Sequence, residues 1–155
     1  NAVYDRSPAE SQTARQRSEA MRSGGVASAL ESSMTRWFDD ADRAMRSALI
    51  EEIFAWMRDG EFAPKLKAHR VFSSSDGEVR GKLGTVRCPA LVLTGELDSG
   101  STPAMAEAMA KSLPRSTLVV LDGQRHMMPV LDADRVNGVL EKFLAGLTTR
   151  SAIDA

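Results

Sequence analysis

Apolar residues recur at helical spacing through the first half of the chain. One stripe occupies a single helix face, at i, i+4, i+8, i+11 and i+12: Val26, Leu30, Met34, Trp37 and Phe38. A second stripe before Gly60 has the same period: Met45, Leu49, Ile50, Ile53, Phe54 and Met57. Acidic residues at 39, 40 and 42 precede it and suit a helix N-terminus. The more polar stretch 9–23 predicts a third, solvent-covered helix. The first half is therefore predicted to be helical.

The pattern changes after a predicted loop at 73–77. Two short, nearly continuous apolar runs, 90–94 and 117–121, are typical of parallel strands covered on both faces. Between them, Thr102 and Pro103 suit the N-cap and first residue of a helix, and Pro114 ends it. A last helix is predicted over 132–145, with an apolar stripe to bury: Val136, Val139, Leu140, Phe143 and Leu144. The second half therefore alternates strand and helix.

Two parallel strands, with 2–4 as the tail of a third, form too small a sheet to cover both faces and both edges. The sheet is therefore expected to be completed by strands outside this chain. Asn1 is not an initiator methionine, so we expect the chain to be processed, cleaved or cut from something longer. Localisation is left open, with a cytoplasmic site favoured.

Composition removes several function classes. The chain has 155 residues with 20 basic and 21 acidic side chains, evenly divided between the two halves, so a nucleic-acid or anionic-membrane surface is not expected. Its one cysteine, Cys88, excludes an internal disulfide and predicts a small core residue. No apolar run approaches the roughly 20 residues of a membrane span. No metal-ligand cluster, phosphate loop or dinucleotide motif is present, so no metal or cofactor is expected.

Polar residues follow each predicted strand. Asp98 comes after the first and His126 after the second. Because the carboxyl ends of parallel strands meet at one sheet edge, these side chains are expected to lie close together. A carboxylate beside an imidazole fixes its tautomer and favours its protonated form, as the base of an acyl transfer requires. The alternative is that Asp98 only caps a helix and that His126 is only a structural residue. Glu96 and Asp122 are interpreted as turn residues or charge partners, and His69 as a surface residue.

The chain from Leu83 to Leu144 resembles the C-terminal part of the α/β-hydrolase family. Several separated elements agree in order and spacing: Cys88-Pro89-Ala90-Leu91-Val92-Leu93-Thr94-Gly95-Glu96-Leu97-Asp98, Thr102-Pro103, Leu113-Pro114, Gly123-Gln124-Arg125-His126 and Phe143-Leu144. The region 24–38 is also loosely similar to that of 3-oxoadipate enol-lactonase-like esterases. The resemblance implies an α/β fold: residues 1–5 would end a core strand, 6–75 form a helical cap, 76–147 form the last part of the core, and 148–155 a tail.

The resemblance also implies site roles. Asp98 would be the acid and His126 the base of a catalytic triad, with Asp5 as the rival acid because some members place that carboxylate one strand earlier. The family's G-x-S-x-G nucleophile motif is missing. The segment most similar to that motif, Ser73-x-Ser75-x-Gly77, lacks the strand-turn-helix setting that a nucleophile requires. The family's oxyanion-hole donors are missing too. Trp37, Met127 and Met128 are candidate substrate-pocket residues, with ordinary core packing as the alternative.

The implied function is hydrolysis of small carboxylic esters or lactones, with this chain supplying acid and base. The expected partner is the N-terminal half of the same hydrolase, as a separate or cleaved chain, which would supply nucleophile and oxyanion hole; a homo-oligomer is a further possibility. Two alternatives remain open. One is a dehalogenase-type hydrolase with an aspartate nucleophile, and the other is a non-catalytic interaction module in which Asp98 and His126 merely pair.

Overall fold

In the computed structural model, which describes residues 3 to 151, the chain divides into an all-helical unit, Val3–Arg80, and a second unit that begins at Gly81. The implied boundaries at 5, 75 and 147 stay predictions; the contacts within the chain divide it after Arg80 instead. Asn1 and Ala2 lie outside the described residues. Among the described residues, no strand includes Val3 or Tyr4, so a core strand that ends at residue 5 stays a prediction.

The helical unit begins with α1, Pro8–Trp37. Ser7 caps it: its hydroxyl accepts from the Glu10 N–H, and the Glu10 carboxylate accepts from the Ser7 N–H. The sequence predicted separate helices on either side of Gly24 and Gly25. The structure joins them at a kink, where Gly25 has φ 69° and ψ −165°, a backbone conformation that glycine adopts without steric cost. α1 therefore has two arms that meet at Gly25.

Two helices replace the one predicted before Gly60. Asp39 caps α2, Asp40–Met45, in a reciprocal hydrogen-bonding pattern with Asp42, which confirms the acidic capping signal. Arg46 leaves helical geometry, and α3, Ser47–Arg58, follows. The core side of α3 buries Ile50, Ile53 and Phe54, and Phe54 packs edge-on against Phe38. Met45 is exposed, so its place in the predicted apolar stripe was wrong: the break at Arg46 turns α2 out of phase with α3.

The unit closes with α4, Phe62–Ser74, which packs against α1, and the short α5, Asp76–Val79. The predicted loop at 73–77 is therefore largely helical. Ser73 and Ser74 both donate to the Arg70 carbonyl, so their hydroxyls bond the preceding helical turn and do not break it.

The second unit contains the two described strands. After a 3₁₀ turn at Leu83–Thr85 come β1 (Ala90–Gly95), α6 (Pro103–Ser112), β2 (Ser116–Leu121), α7 (Met128–Leu131) and α8 (Ala133–Ser151). β1 and β2 pair in parallel, from Ala90 opposite Ser116 to Gly95 opposite Leu121. Thr102 caps α6 by accepting from the Met105 N–H. Both strands and the helix between them confirm the sequence prediction. The short α7 was not predicted.

Helix α8 departs from its prediction at one end. It was expected to stop near residue 145, yet it continues into the predicted tail 148–155 as far as Ser151; residues 152–155 lie outside the described part. Val136 is buried, but Leu140 and Leu144 are exposed, contrary to prediction. With Phe143 they border an open apolar groove against β1. A pair of strands is too narrow to cover the whole stripe of a helix of this length.

Among the described residues, none of the helices combines the length and apolar character that crossing a bilayer requires.

Candidate active site

The loop between β1 and α6 fixes the Asp98 carboxylate. Its Oδ1 accepts from the backbone N–H groups of Gly100 and Ser101, at 2.8 and 2.9 Å. The Ser101 carbonyl in turn accepts from the buried hydroxyl of Thr94, at 2.7 Å. Aspartate readily bonds backbone amides two and three residues further along, so this turn is local in sequence. One carboxylate oxygen is thereby occupied by the loop itself.

The other carboxylate oxygen holds His126. Asp98 Oδ2 lies 2.8 Å from His126 Nδ1. Because an ionised carboxylate only accepts, Nδ1 carries the hydrogen, which leaves Nε2 as the basic nitrogen of a neutral ring. The Asp98 side chain is 1% exposed, whereas that of His126 is 30% exposed. The pair therefore has a buried acid end and an imidazole that reaches the surface.

The electrostatics of Asp98 favour its charged form. Burial by itself raises the pKa of this carboxyl, but the hydrogen bonds from His126, Ser101 and Gly100 outweigh burial and hold the pKa below its usual value. Asp98 is consequently ionised at neutral pH. It can orient the imidazole and stabilise a positive charge on it.

The two strand-end loops are bonded to each other. The Glu96 carboxylate accepts from the Gly123 N–H at 2.8 Å, and the Leu97 N–H donates to the Gln124 carbonyl at 2.8 Å. A Cβ on Gly95 would stand 2.3 Å from that same carbonyl oxygen, closer than real contacts allow. Glycine at 95 therefore permits the close approach that brings the Asp98 loop to the His126 loop.

The His126 loop is also tied to the start of α8. Gln124 Nε2 donates to Asp132 Oδ2 at 3.0 Å, and Arg135 pairs with Asp122 at 2.5 Å. Asp122 and Glu96 are thus a charge partner and a turn residue, which confirms their sequence interpretation. These contacts hold the loop at both ends.

The remaining predicted site residues lie in different surroundings. Met127 is half-buried and precedes α7, next to the base. Met128 is 1% exposed and packs with Leu121 and Val136. Pocket roles for Met127 and Met128 stay predictions. Trp37 belongs to the helical unit, where it meets Phe38 edge-on. Its role in a pocket stays a prediction.

The rival acid and the imitation nucleophile lie in the helical unit. Asp5 is exposed and pairs with Arg80. Ser75 stands between α4 and α5, where neither side supplies the strand that a nucleophile turn requires. Among residues 3–151, the acid-base geometry is therefore carried by Asp98 and His126, and no group of three or more His, Cys, Asp or Glu is placed to hold a metal ion.

The sequence did not predict the hydrogen bonds between the two strand-end loops, and it predicted the wrong surroundings for two residues, Cys88 and His69. A signal for the loop contacts was present in Gly95, because a glycine at the end of an apolar run often marks a close backbone approach. Cys88 is exposed rather than a core residue, because it precedes Pro89 outside β1. His69 is half-buried rather than on the surface, with its Nδ1 enclosed. The Nε atom of Arg125, the residue before His126, is also buried and has no hydrogen-bond partner among the described residues.

No family model matches the chain. It is similar to the (E)-2-((N-methylformamido)methylene)succinate hydrolase of Acinetobacter baylyi, with 29% identity over 93% of this chain and 53% of the relative. It is 24% identical to 3-oxoadipate enol-lactonase 1 of the same organism, over 84% of this chain and 48% of the relative. A malate-bound esterase structure from Thermogutta terrifontis matches with TM-score 0.72 and 26% identity, over 94% of this chain and 53% of that one. The chain spans about half the length of these relatives.

Proposed function

Because the chain has the fold and sequence character of the C-terminal half of an α/β hydrolase, we propose that it supplies the acid and base of a hydrolase acting on small carboxylic esters or lactones. The observation that carries the proposal is the 2.8 Å hydrogen bond between Asp98 Oδ2 and His126 Nδ1 at the carboxyl ends of parallel strands. The names of the relatives, a succinate-derivative hydrolase, an enol-lactonase and an esterase, support the substrate class.

Each residue has a defined task in this proposal. His126 Nε2 removes the proton from a nucleophile hydroxyl as that oxygen attacks the ester carbonyl, and then gives the proton to the leaving alcohol. In the second step the same nitrogen takes a proton from water as the water oxygen attacks the acyl-enzyme, and it returns that proton to the nucleophile oxygen as the acyl–oxygen bond breaks and the acid leaves. Asp98 keeps the ring in the required tautomer throughout and stabilises the imidazolium that forms twice per cycle.

The nucleophile and oxyanion hole are proposed to come from the N-terminal half of the same hydrolase. Two features of the described residues support this. β1 and β2 each have only one neighbour, so each leaves a row of backbone groups for a further strand. The groove beside β1 is bordered by exposed leucines of α8, with Leu144 58% exposed. A segment that continues the sheet and packs on α8 would cover both.

A fluorophosphonate probe tests nucleophile and partner together. In the complete hydrolase we expect one serine to be labelled, on a peptide outside these 155 residues, and we expect His126→Ala to reduce ester turnover by about a thousandfold or more without unfolding the protein. Lys111→Ala, at an exposed position of α6 away from both strand-end loops, is the matched control. Peptide mass spectrometry locates the label, and circular dichroism checks the fold.

The other results overturn specific parts of the proposal. A label on Ser75 removes the need for a second segment. Turnover without any serine label, on haloalkanes for example, indicates an aspartate nucleophile. Neither label nor turnover in the complete assembly indicates an interaction module. Unchanged turnover in His126→Ala refutes the assigned base.

A further inference from the structure

Strand β1 buries a hydroxyl at a position where the strand pattern favours an apolar side chain. Side chains alternate between the two faces of a strand, so Thr94 shares a face with Val92. Both residues are buried, and Thr94 is 1% exposed. Burying a hydroxyl costs free energy unless it makes a hydrogen bond, whereas valine has nearly the same shape and no such cost. The hydroxyl is therefore the part of Thr94 that needs an explanation.

The hydroxyl of Thr94 holds the loop that joins β1 to α6. It donates to the Ser101 carbonyl at 2.7 Å. Ser101 is buried as well, and its N–H donates to Asp98 Oδ1 at 2.9 Å. The backbone of Ser101 is thus bonded at both of its polar groups, to the strand through its carbonyl and to the carboxylate through its N–H. A rotation of the Ser101 backbone would have to break one of these bonds.

The next residue anchors the same segment to α6. The Thr102 hydroxyl accepts from the Met105 N–H at 3.3 Å, and the Thr102 carbonyl accepts from the Ala106 N–H at 3.0 Å. A threonine in a strand has few accessible χ1 rotamers, so the Thr94 hydroxyl is held in one direction. Strand and helix therefore both fix the backbone from which Asp98 receives its hydrogen bonds.

The series of hydrogen bonds ends at the imidazole. Asp98 Oδ2 lies 2.8 Å from His126 Nδ1, while Oδ1 is occupied by the loop. Because one oxygen of the carboxylate is fixed, the direction of the other oxygen is fixed as well. Alignment of this kind matters for a proton transfer, since a displacement of about 1 Å can lower a rate by about a hundredfold.

We propose that Thr94 is a positioning residue of the acid-base pair: through the Ser101 backbone, its hydroxyl sets the direction in which Asp98 presents Oδ2 to His126. In this role Thr94 acts through other residues and makes no contact with the reacting atoms. Its expected effect on turnover rests on the proposed hydrolysis. Its effect on the hydrogen bond between carboxylate and imidazole does not, and the two are measured separately.

Proton NMR of the complete hydrolase tests the role through the hydrogen on His126 Nδ1. We expect Thr94→Val to move this resonance upfield and to make the hydrogen exchange with water at least about tenfold faster, because the hydrogen bond to Asp98 is weakened. Thr94→Ser keeps the hydroxyl and should preserve both values. Thr117→Val is the matched control, since it makes the same change at an exposed threonine of β2.

Turnover of an ester separates alignment from binding. We expect Thr94→Val to lower kcat by about tenfold to a hundredfold and to change KM by less than about threefold, because the alignment acts in the transition state. Thr94→Ser should restore kcat to within about threefold of the unmodified enzyme, and Thr117→Val should leave it unchanged. An unmodified hydrolase without ester turnover refutes the proposed hydrolysis, and the NMR result then decides the role of Thr94 by itself.

Two measurements cover the case in which Thr94→Val does not fold. In the unmodified protein, the Thr94 hydroxyl proton should exchange with water at least about tenfold more slowly than the hydroxyl proton of exposed Thr117. Thr94→Cys places a weaker donor at the same position and should shift the His126 Nδ1 resonance upfield.

Three results overturn the positioning role. The first is a Thr94 hydroxyl proton that exchanges as fast as that of Thr117. The second is an unchanged His126 Nδ1 resonance in a folded Thr94→Val or Thr94→Cys variant, which would leave Thr94 a purely structural residue. The third is a Thr94→Ser variant that disturbs the resonance as much as Thr94→Val does.

Discussion

The polar residues buried beside the strands and those buried between the helices differ in how completely they are bonded. Both oxygens of Asp98 have partners, two backbone amides on one side and His126 on the other. Between α1 and α4, the Ser18 hydroxyl and His69 Nδ1 have none. The first arrangement is complete within the chain and can hold a precise geometry. The second leaves a hydroxyl and a ring nitrogen without a hydrogen bond, so no hydrogen bond fixes the orientation of either group.

Adding a side-chain atom where the two strand-end loops touch should produce the largest loss of stability. We expect Gly95→Ala to lower the free energy of unfolding by about 3 kcal/mol, because the new Cβ would meet the backbone carbonyl of Gln124. Urea denaturation measures the change. Gly146→Ala, where a Cβ meets nothing within 4 Å, is the control. Similar losses in both variants would show that the close approach does not constrain these loops.

Neutralising the bonded carboxylate should have the next largest effect. Asp98→Asn is expected to cost about 2 kcal/mol at pH 7, since it weakens hydrogen bonds to a charged group. The pKa of Asp98 is lowered in the folded state, so the unfolded chain binds this proton more readily. Its stabilising contribution is therefore fully present above the unfolded pKa of about 3.9, and it is lost as the pH falls toward the lower folded value.

Urea midpoints measured from pH 7 down to pH 3 check that dependence. The variant should lose less stability than the unmodified protein over the acid range. Asp134→Asn, at an exposed carboxylate of α8, should leave the acid dependence nearly unchanged. An equal acid dependence in all three proteins would contradict the role given to Asp98.

The smallest effect is expected where a buried hydroxyl already lacks a partner. Ser18→Ala should change the free energy of unfolding by less than about 0.5 kcal/mol, because no hydrogen bond is lost. Ser33→Ala, also buried on α1, should cost about 1 kcal/mol, since its hydroxyl donates to Ala29 and accepts from Arg36. Thermal and urea unfolding measure both. Equal costs would remove the contrast between bonded and unbonded groups.

The parts of the chain that local chemistry determines could be predicted from the sequence. Thr102 and Pro103 start α6 by a capping rule that needs no distant residue, and the two apolar runs form the strands. Asp98 and His126 meet because parallel strands end at the same edge. That inference used topology as well as pattern, and the predicted pair is confirmed by its hydrogen bond.

The missed features depend on residues far away in sequence. Glu96 meets Gly123 only after β1 and β2 have paired, so neither residue shows this contact in its own neighbourhood. His69 sits in a polar stretch that looks solvent-facing, yet α1 covers part of it. Leu140 and Leu144 were predicted to be buried because a helical stripe indicates which face packs, but not how much surface is available to pack against.

The pairing of Gly95 with Leu121 has a consequence for errors in strand alignment. Moving β2 by one residue along β1 would turn its side chains to the opposite faces of the sheet and carry the His126 loop about 3.3 Å along the strand direction. A chain misaligned in this way could keep its helices and still lose contact between imidazole and carboxylate. The hydrogen bond from the Gly123 N–H to the Glu96 carboxylate would break in the same slip, so this bond favours the native alignment over the shifted one.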